Sequence, residues 1–149
     1  MITDNTAATN SAVVRRHYDR AWNAGDLASV EETHAADCVH RDPSNPVPMR
    51  GQVDIKARLA AVREAFGDFN LVVNDLIAAG DKVVVQFMVS GTHRAPFAGI
   101  PATGRAVKVD GIVIHRLRDG RIVEDFAVRD TLGLMIQLGV IPPPGGPKS

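Results

Sequence analysis

The sequence predicts an α+β fold in which N-terminal helices pack on one face of a curved, antiparallel or mixed sheet. Apolar residues recur at helical spacing up to Phe66, and from Phe69 onward the period changes to that of strands. Asp119-Gly120 lies between two runs dense in Val and Ile, the strongest short-range hairpin signal a sequence offers. At 149 residues the chain is read as one domain spanning 11–139, between a disordered start at 1–10 and a Pro/Gly-rich tail at 140–149.

Asn10 or Ser11 can cap a first helix whose positions Val14, Tyr18, Ala21 and Trp22 form an apolar stripe ending near Gly25. Asp26 caps a short second helix through Leu27 and Val30, and Ala36 to His40 reads as a brief strand. RDPSNPVPM holds three prolines in nine residues and reads as loop. Gly51 opens a third helix with Ile55, Leu59, Val62 and Phe66 on one stripe, flanked by Arg58 and stopped by Gly67. Strands follow at Phe69 to Ile77 and Val83 to Gly91, joined at Gly80-Asp81. After the loop THRAPFAGIPATG comes the hairpin, then a helix over Thr131 to Leu138.

The hairpin RAVKVDGIVIHRLRDGRIVEDFAVRD carries Asp110, His115, Glu124, Asp125 and Asp130. Side chains alternate between faces, so at least one of the adjacent Glu124 and Asp125 must point inward. A two-residue loop sets His115 against Glu124, whereas a three-residue loop sets His115 against Val123, Val113 against Asp125 and Gly111 against Ala127. Both registers stay open at this point, and a one-residue slip flips a strand's whole set. Both faces are apolar: Val109, Val113, Leu117 and Val123 on one, Ile112, Ile114, Ile122, Phe126 and Val128 on the other. A solvated face would be polar, so the second is expected to be buried against another subunit.

Lys plus Arg and Asp plus Glu each total 17, which gives no electrostatic reason for a nucleic-acid partner or a membrane surface. The N-terminus lacks an apolar core of the signal-peptide kind and no stretch reaches membrane-span length, so a soluble cytoplasmic protein is expected. Cys38 is the single cysteine and reads as a buried, inert thiol. Cys38, His40 and Asp42 alternate on one strand face but lack a fourth ligand, and no metal is expected. GIPATGRA misses the phosphate-loop pattern GxxxxGK[ST] and leads into a strand instead of a helix. GxSxG, HExxH and GxGxxG are all absent. His17 and His34 read as solvent-facing, Arg58 and Arg129 as surface cations, and Asp110 as a cross-strand partner for Arg129.

YDRAWNAGDLASV, the Arg50-Gly51 opening of the third helix, GTHRAPFAGIPATGRAV and LRDGRIVEDFAVRDTLGLMIQLG together resemble the SnoaL-like polyketide cyclase family, within the nuclear-transport-factor-like superfamily. The resemblance implies a cone-shaped fold enclosing an apolar pocket, a homo-oligomer (dimer or tetramer), and ring closure by intramolecular aldol condensation without cofactor or metal. It also implies that the family's acid/base aspartate corresponds to Ala127, its companion histidine to Val113 and a nearby glutamine to Gly111. Trp22, His40 and Arg58 fall at pocket positions, with Tyr18 beside them. If Gly111, Val113 and Ala127 face inward as their counterparts do, so do His115 and Asp125, which selects the three-residue loop.

The sequence therefore points to an acid/base enzyme that cyclises or isomerises a small, apolar, polyketide-like molecule. Asp125, with its pKa raised by an apolar cavity, is expected to move the proton, and His40 or His115 to polarise the carbonyl. Two alternatives stand beside this reading. One is a non-catalytic small-molecule binder, favoured by the missing carboxylate at 127. The other is an epoxide-hydrolase-like enzyme, which needs paired carboxylates around an arginine.

Overall fold

The computed structural model describes residues 5–145; the expectations for 1–4 and 146–149 lie outside them. A six-stranded mixed sheet runs in the order β2-β1-β6-β5-β4-β3. Its strands are β1 (His34–Asp42), β2 (Asn45–Arg50), β3 (Asn70–Ala79), β4 (Lys82–Thr92), β5 (Ala106–Arg118) and β6 (Arg121–Arg129). Among the described residues only the β1–β6 pairing is parallel. Helices α1 (Thr6–Arg16), α2 (Val30–Thr33), α3 (Gly51–Ala65) and α4 (Thr131–Gln137) complete the fold. The predicted α+β class and curved mixed sheet are what the chain adopts.

The first helix differs from its sequence reading at both ends. It begins at Thr6, inside the stretch expected to be disordered, because Asn10, Val13 and Val14 are already buried against the sheet. Beyond Arg16 it widens into a π-helical segment, His17–Asn23, capped by Ala24. Such widenings turn side chains off the regular stripe and recur at functional sites. Here the segment carries His17, Tyr18 and Trp22.

The proline-rich segment is not loop throughout, since Asn45–Arg50 forms the edge strand β2. Pro46 and Pro48 are tolerated there because an edge strand has backbone donors that no neighbour needs. In α3 the expected stripe is buried: Ile55, Leu59 and Val62 with Ala65, closed by Phe66. Asp130 caps α4 by accepting from the Gly133 N–H at 2.8 Å.

Neither register expected for the β5–β6 hairpin occurs as such. Asp119 and Gly120 both have positive φ, 52° and 73°, as a two-residue type I′ turn requires, and Arg118 lies opposite Arg121. The register then shifts between Arg116 and Leu117, where Leu117 faces Ile122 but Arg116 faces Glu124. The extra residue, Val123, is a β-bulge. Beyond it His115 faces Asp125, Val113 faces Ala127 and Gly111 faces Arg129. The bulge restores the parity that a three-residue loop would have given, so the inward set His115, Asp125, Val113 and Ala127 is buried although the partners differ. It also turns Ile122, expected outside, fully into the core.

Candidate functional site

Three neighbouring strands bring one row of polar side chains together inside the fold. Asp125 on β6 lies beside His40 across the parallel β1 pairing and opposite His115 across the β5 pairing. All three are buried. Asp125 Oδ2 is 3.1 Å from His40 Nδ1, and Oδ1 bonds His115 Nδ1. A carboxylate can only accept, so each Nδ1 carries a proton and donates it. The Tyr18 hydroxyl on the π-helical segment lies 2.7 Å from His115 Nε2, donating to it when the imidazole is neutral and accepting from it when the ring is protonated. Among the described residues His40 Nε2 has no partner. Burial alone would raise the Asp125 pKa, but the charge and hydrogen bond of His115, followed by those of His40, hold it well below the carboxylate range. The raised value expected from the sequence does not hold. A cavity that looks apolar from the strand pattern contains two donors aimed at this one carboxylate.

His17 and His34, expected in solvent, are buried beside this row. Their rings lie 4.6 Å apart, edge to face. The Trp22 indole N–H donates to His17 Nε2 at 3.2 Å, so the His17 proton sits on Nδ1, which has no partner among the described residues. Burial first, then His34 and His115, keep His17 well below its ordinary pKa, and burial brings His34 down to about 4. Both imidazoles are therefore neutral at pH 7. The sequence did hold a signal for each. His17 lies four residues from both Val13 and Ala21, and strand alternation back from His40 and Cys38 reaches His34.

These groups line a cavity with room for several waters, about 110 Å³ measured at water centres, where one water needs roughly 10–15 Å³. Tyr18, Trp22, His40, Arg58, Val113, His115 and Asp125 line it, together with His17 and His34. Ile55, Val62, Phe66, Phe69, Phe97 and Leu134 supply apolar wall. Gly111 and Ala127, expected among the binding residues, do not line it. A Cβ at Gly111 would lie 2.5 Å from Phe87 Cζ, so the Phe87 ring occupies that space, and Ala127 is wholly enclosed in the core cluster behind it.

The two arginines expected at the surface also border the cavity. Arg129 donates to Asp42 at 2.6 Å, and Asp110 is not its ion-pair partner. Arg58 on α3 is partly buried, with its Nε enclosed and unpartnered. The paired carboxylates an epoxide-hydrolase-like reaction needs do not assemble: Arg129 holds Asp42, while Asp125 is held by histidines. The Cys38, His40 and Asp42 side chains are separately engaged. Cys38 is packed in the core cluster with Leu59 and Ile55, and burial pushes its thiol up to about 11.

The profile of the SnoaL-like polyketide cyclase family matches residues 12–138. The chain belongs to that family. Its fold is shared by a candidate SnoaL-like polyketide cyclase from Jannaschia sp. CCS1, at 28% identity and a TM-score of 0.85 over 96% of this chain and 99% of that one. IdmH, a candidate polyketide cyclase from Streptomyces antibioticus, is 31% identical with a TM-score of 0.76 over 88% and 99% of the two chains. AclR from Streptomyces galilaeus, a candidate hydroxylase, is 29% identical with a TM-score of 0.79 over 91% and 99%. No curated protein matches the sequence. The SnoaL-like frame thus carries more than one described chemistry, and what this member does has to be argued from its own cavity.

Proposed function

We propose that this SnoaL-like protein is a cofactor-independent enzyme that closes a ring in a small, largely apolar, polyketide-like substrate by intramolecular aldol chemistry. The observation that carries the reading is the Asp125 carboxylate gripped by the Nδ1–H groups of His40 and His115, which leaves His40 Nε2 unpartnered at the cavity wall. We assign the proton transfer to His40 and not to Asp125. Both Asp125 oxygens already accept hydrogen bonds, and the carboxylate is better suited to orient the imidazole and stabilise its protonated form.

His40 Nε2 takes the proton from a carbon next to a carbonyl, and the electron pair moves onto the carbonyl oxygen. The neutral His17 Nδ1–H donates to that oxygen as charge develops, a role suited to an imidazole that burial keeps from protonating. The enolate carbon attacks a second carbonyl of the same molecule, and the new alkoxide recovers the proton from His40. Atoms and electrons balance without a co-reactant. His115, fixed by Tyr18, positions Asp125. We further propose that the outer sheet face is covered by a second copy of the chain.

Turnover of an anthracycline-type keto-acid and of its methyl ester tests the assignment. His40→Gln and Asp125→Asn should each lower kcat by ~10²-fold or more while substrate binding persists. A His40→Gln variant as fast as the parent would overturn it. Tight binding without any turnover by the parent would instead establish a binding protein.

A further inference from the structure

Arg58 is a cation that the protein leaves without a counter-ion at the wall of an apolar cavity. Among the described residues no carboxylate lies within ion-pair distance of it and no acceptor lies within hydrogen-bond distance of its guanidinium, while its Nε is buried. Every other charge around the cavity is engaged. Asp125 is held by two imidazoles, and Arg129 is neutralised by Asp42 at 2.6 Å, with Asp42 also bound by Ser44. Neighbouring apolar side chains on α3, Ile55, Leu59 and Val62, are buried, and Ile55 and Val62 share the cavity wall. A buried, unpaired charge is costly unless something else supplies the partner.

We propose that Arg58 is the anchor for a free carboxylate on the substrate, so that this protein takes a polyketide-like acid in preference to the corresponding neutral ester. The inference rests on the reading of the cavity as a small-molecule site and names the class of molecule it takes. The guanidinium fork matches a planar carboxylate in bidentate geometry. One uncompensated positive charge matches a monoanion, whereas a phosphate dianion would need the second cation that Asp42 has already claimed. Burial, then the charge of Arg129, lower the Arg58 pKa to about 10 against the opposing pull of Asp42, which pairs with Arg129 and not with Arg58, and Arg58 remains charged at pH 7.

Trp22 is the single tryptophan and lines the cavity, so its fluorescence reports binding directly. The probes are anthraquinone-2-carboxylic acid and its methyl ester, titrated into the full chain at pH 7. The acid should bind at least about tenfold more tightly than the ester. Arg58→Gln should bring the two within about twofold by weakening the acid alone, and Arg58→Lys, which keeps the charge but not the fork, should retain part of the preference. Equal or tighter binding of the ester by the parent, no saturable binding of the acid, or an acid preference that survives in Arg58→Gln would each overturn the proposal. If Arg58→Gln does not fold, Arg58→Lys decides, and a preference as large as the parent's counts against the fork. His40→Gln should lose turnover yet keep the acid preference, which separates failure of the catalytic reading from failure of this one.

Discussion

At the scale of single residues, the polar centre of the cavity stands two residues along its strands from the place the family resemblance implies. Val113 and Ala127 face each other at the positions that correspond by resemblance to the family's histidine and aspartate, and His115 and Asp125 face each other one row on. Two residues of strand amount to ~6.5 Å. Phe87 covers Gly111 on the other side of the Val113–Ala127 row, and its ring centroid lies 6.4 Å from that of Tyr18. Restoring the missing carboxylate should therefore not restore chemistry. Ala127→Asp buries a charge in a closed apolar site and should lower stability by ~1–3 kcal/mol without raising turnover, as denaturant titration and kinetics would check. Asp125→Asn should cost a similar ~1–3 kcal/mol, because one of two buried Nδ1–H donors would then meet an amide N–H. Stability supplied by the Asp125 carboxylate is present above its unfolded pKa, about 4, and is lost as pH falls through the lower folded value.

At the scale of elements, what the sequence made legible was whatever depends on local periodicity. The α3 stripe and the β5–β6 hairpin follow from spacing, whereas the inward parity of His115 and Asp125 follows from the family resemblance together with strand alternation. The bulge at Val123 was not legible, because a type I′ turn and a three-residue loop predict different partners and only packing of Ile122 into the core selects a turn plus a bulge. Nor was the union of His40 with Asp125, which needs a parallel pairing between strands 85 positions apart. Histidine's polarity points to solvent, but at position 17 the helical stripe and at position 34 the strand alternation carry the ring into the core. That burial has a measurable consequence. The unfolded chain protonates His34 near 6.5 and the folded chain only near 4, so the unfolded state binds more protons between these values and stability falls as pH drops through that window. The loss should be roughly 2–3 kcal/mol between pH 7 and 4.5 from His34, with His17 adding in the same direction. In urea titrations His34→Leu should shrink the difference by about that amount. An undiminished difference would place the pH sensitivity elsewhere.

At the scale of the whole molecule, the sheet is buried on its inner face by helices and left bare on its outer one. Ile112 pairs with Val128 and Ile114 with Phe126 across β5 and β6, and these four side chains are 49%, 51%, 41% and 46% exposed. They form one contiguous apolar block, bordered by ionic residues such as Arg41 and Glu124, which pair at 2.9 Å. Scattered apolar residues on a surface need no explanation, but a cross-strand block of four on a central hairpin does. The strands are central in the sheet, so edge-to-edge pairing cannot cover the block, and face-to-face packing with a second copy can. The rim of opposite charges would then set register more than affinity. Light scattering at micromolar concentration should accordingly give at least twice the 16.0 kDa chain mass. Ile114→Asp places a carboxylate at the centre of the block and should yield monomer, with His40, Asp125 and His115 undisturbed because Ile114 points to the opposite face. Circular dichroism separates that outcome from unfolding. A parent that scatters as a 16.0 kDa monomer would leave the apolar block without its partner and the subunit argument without support.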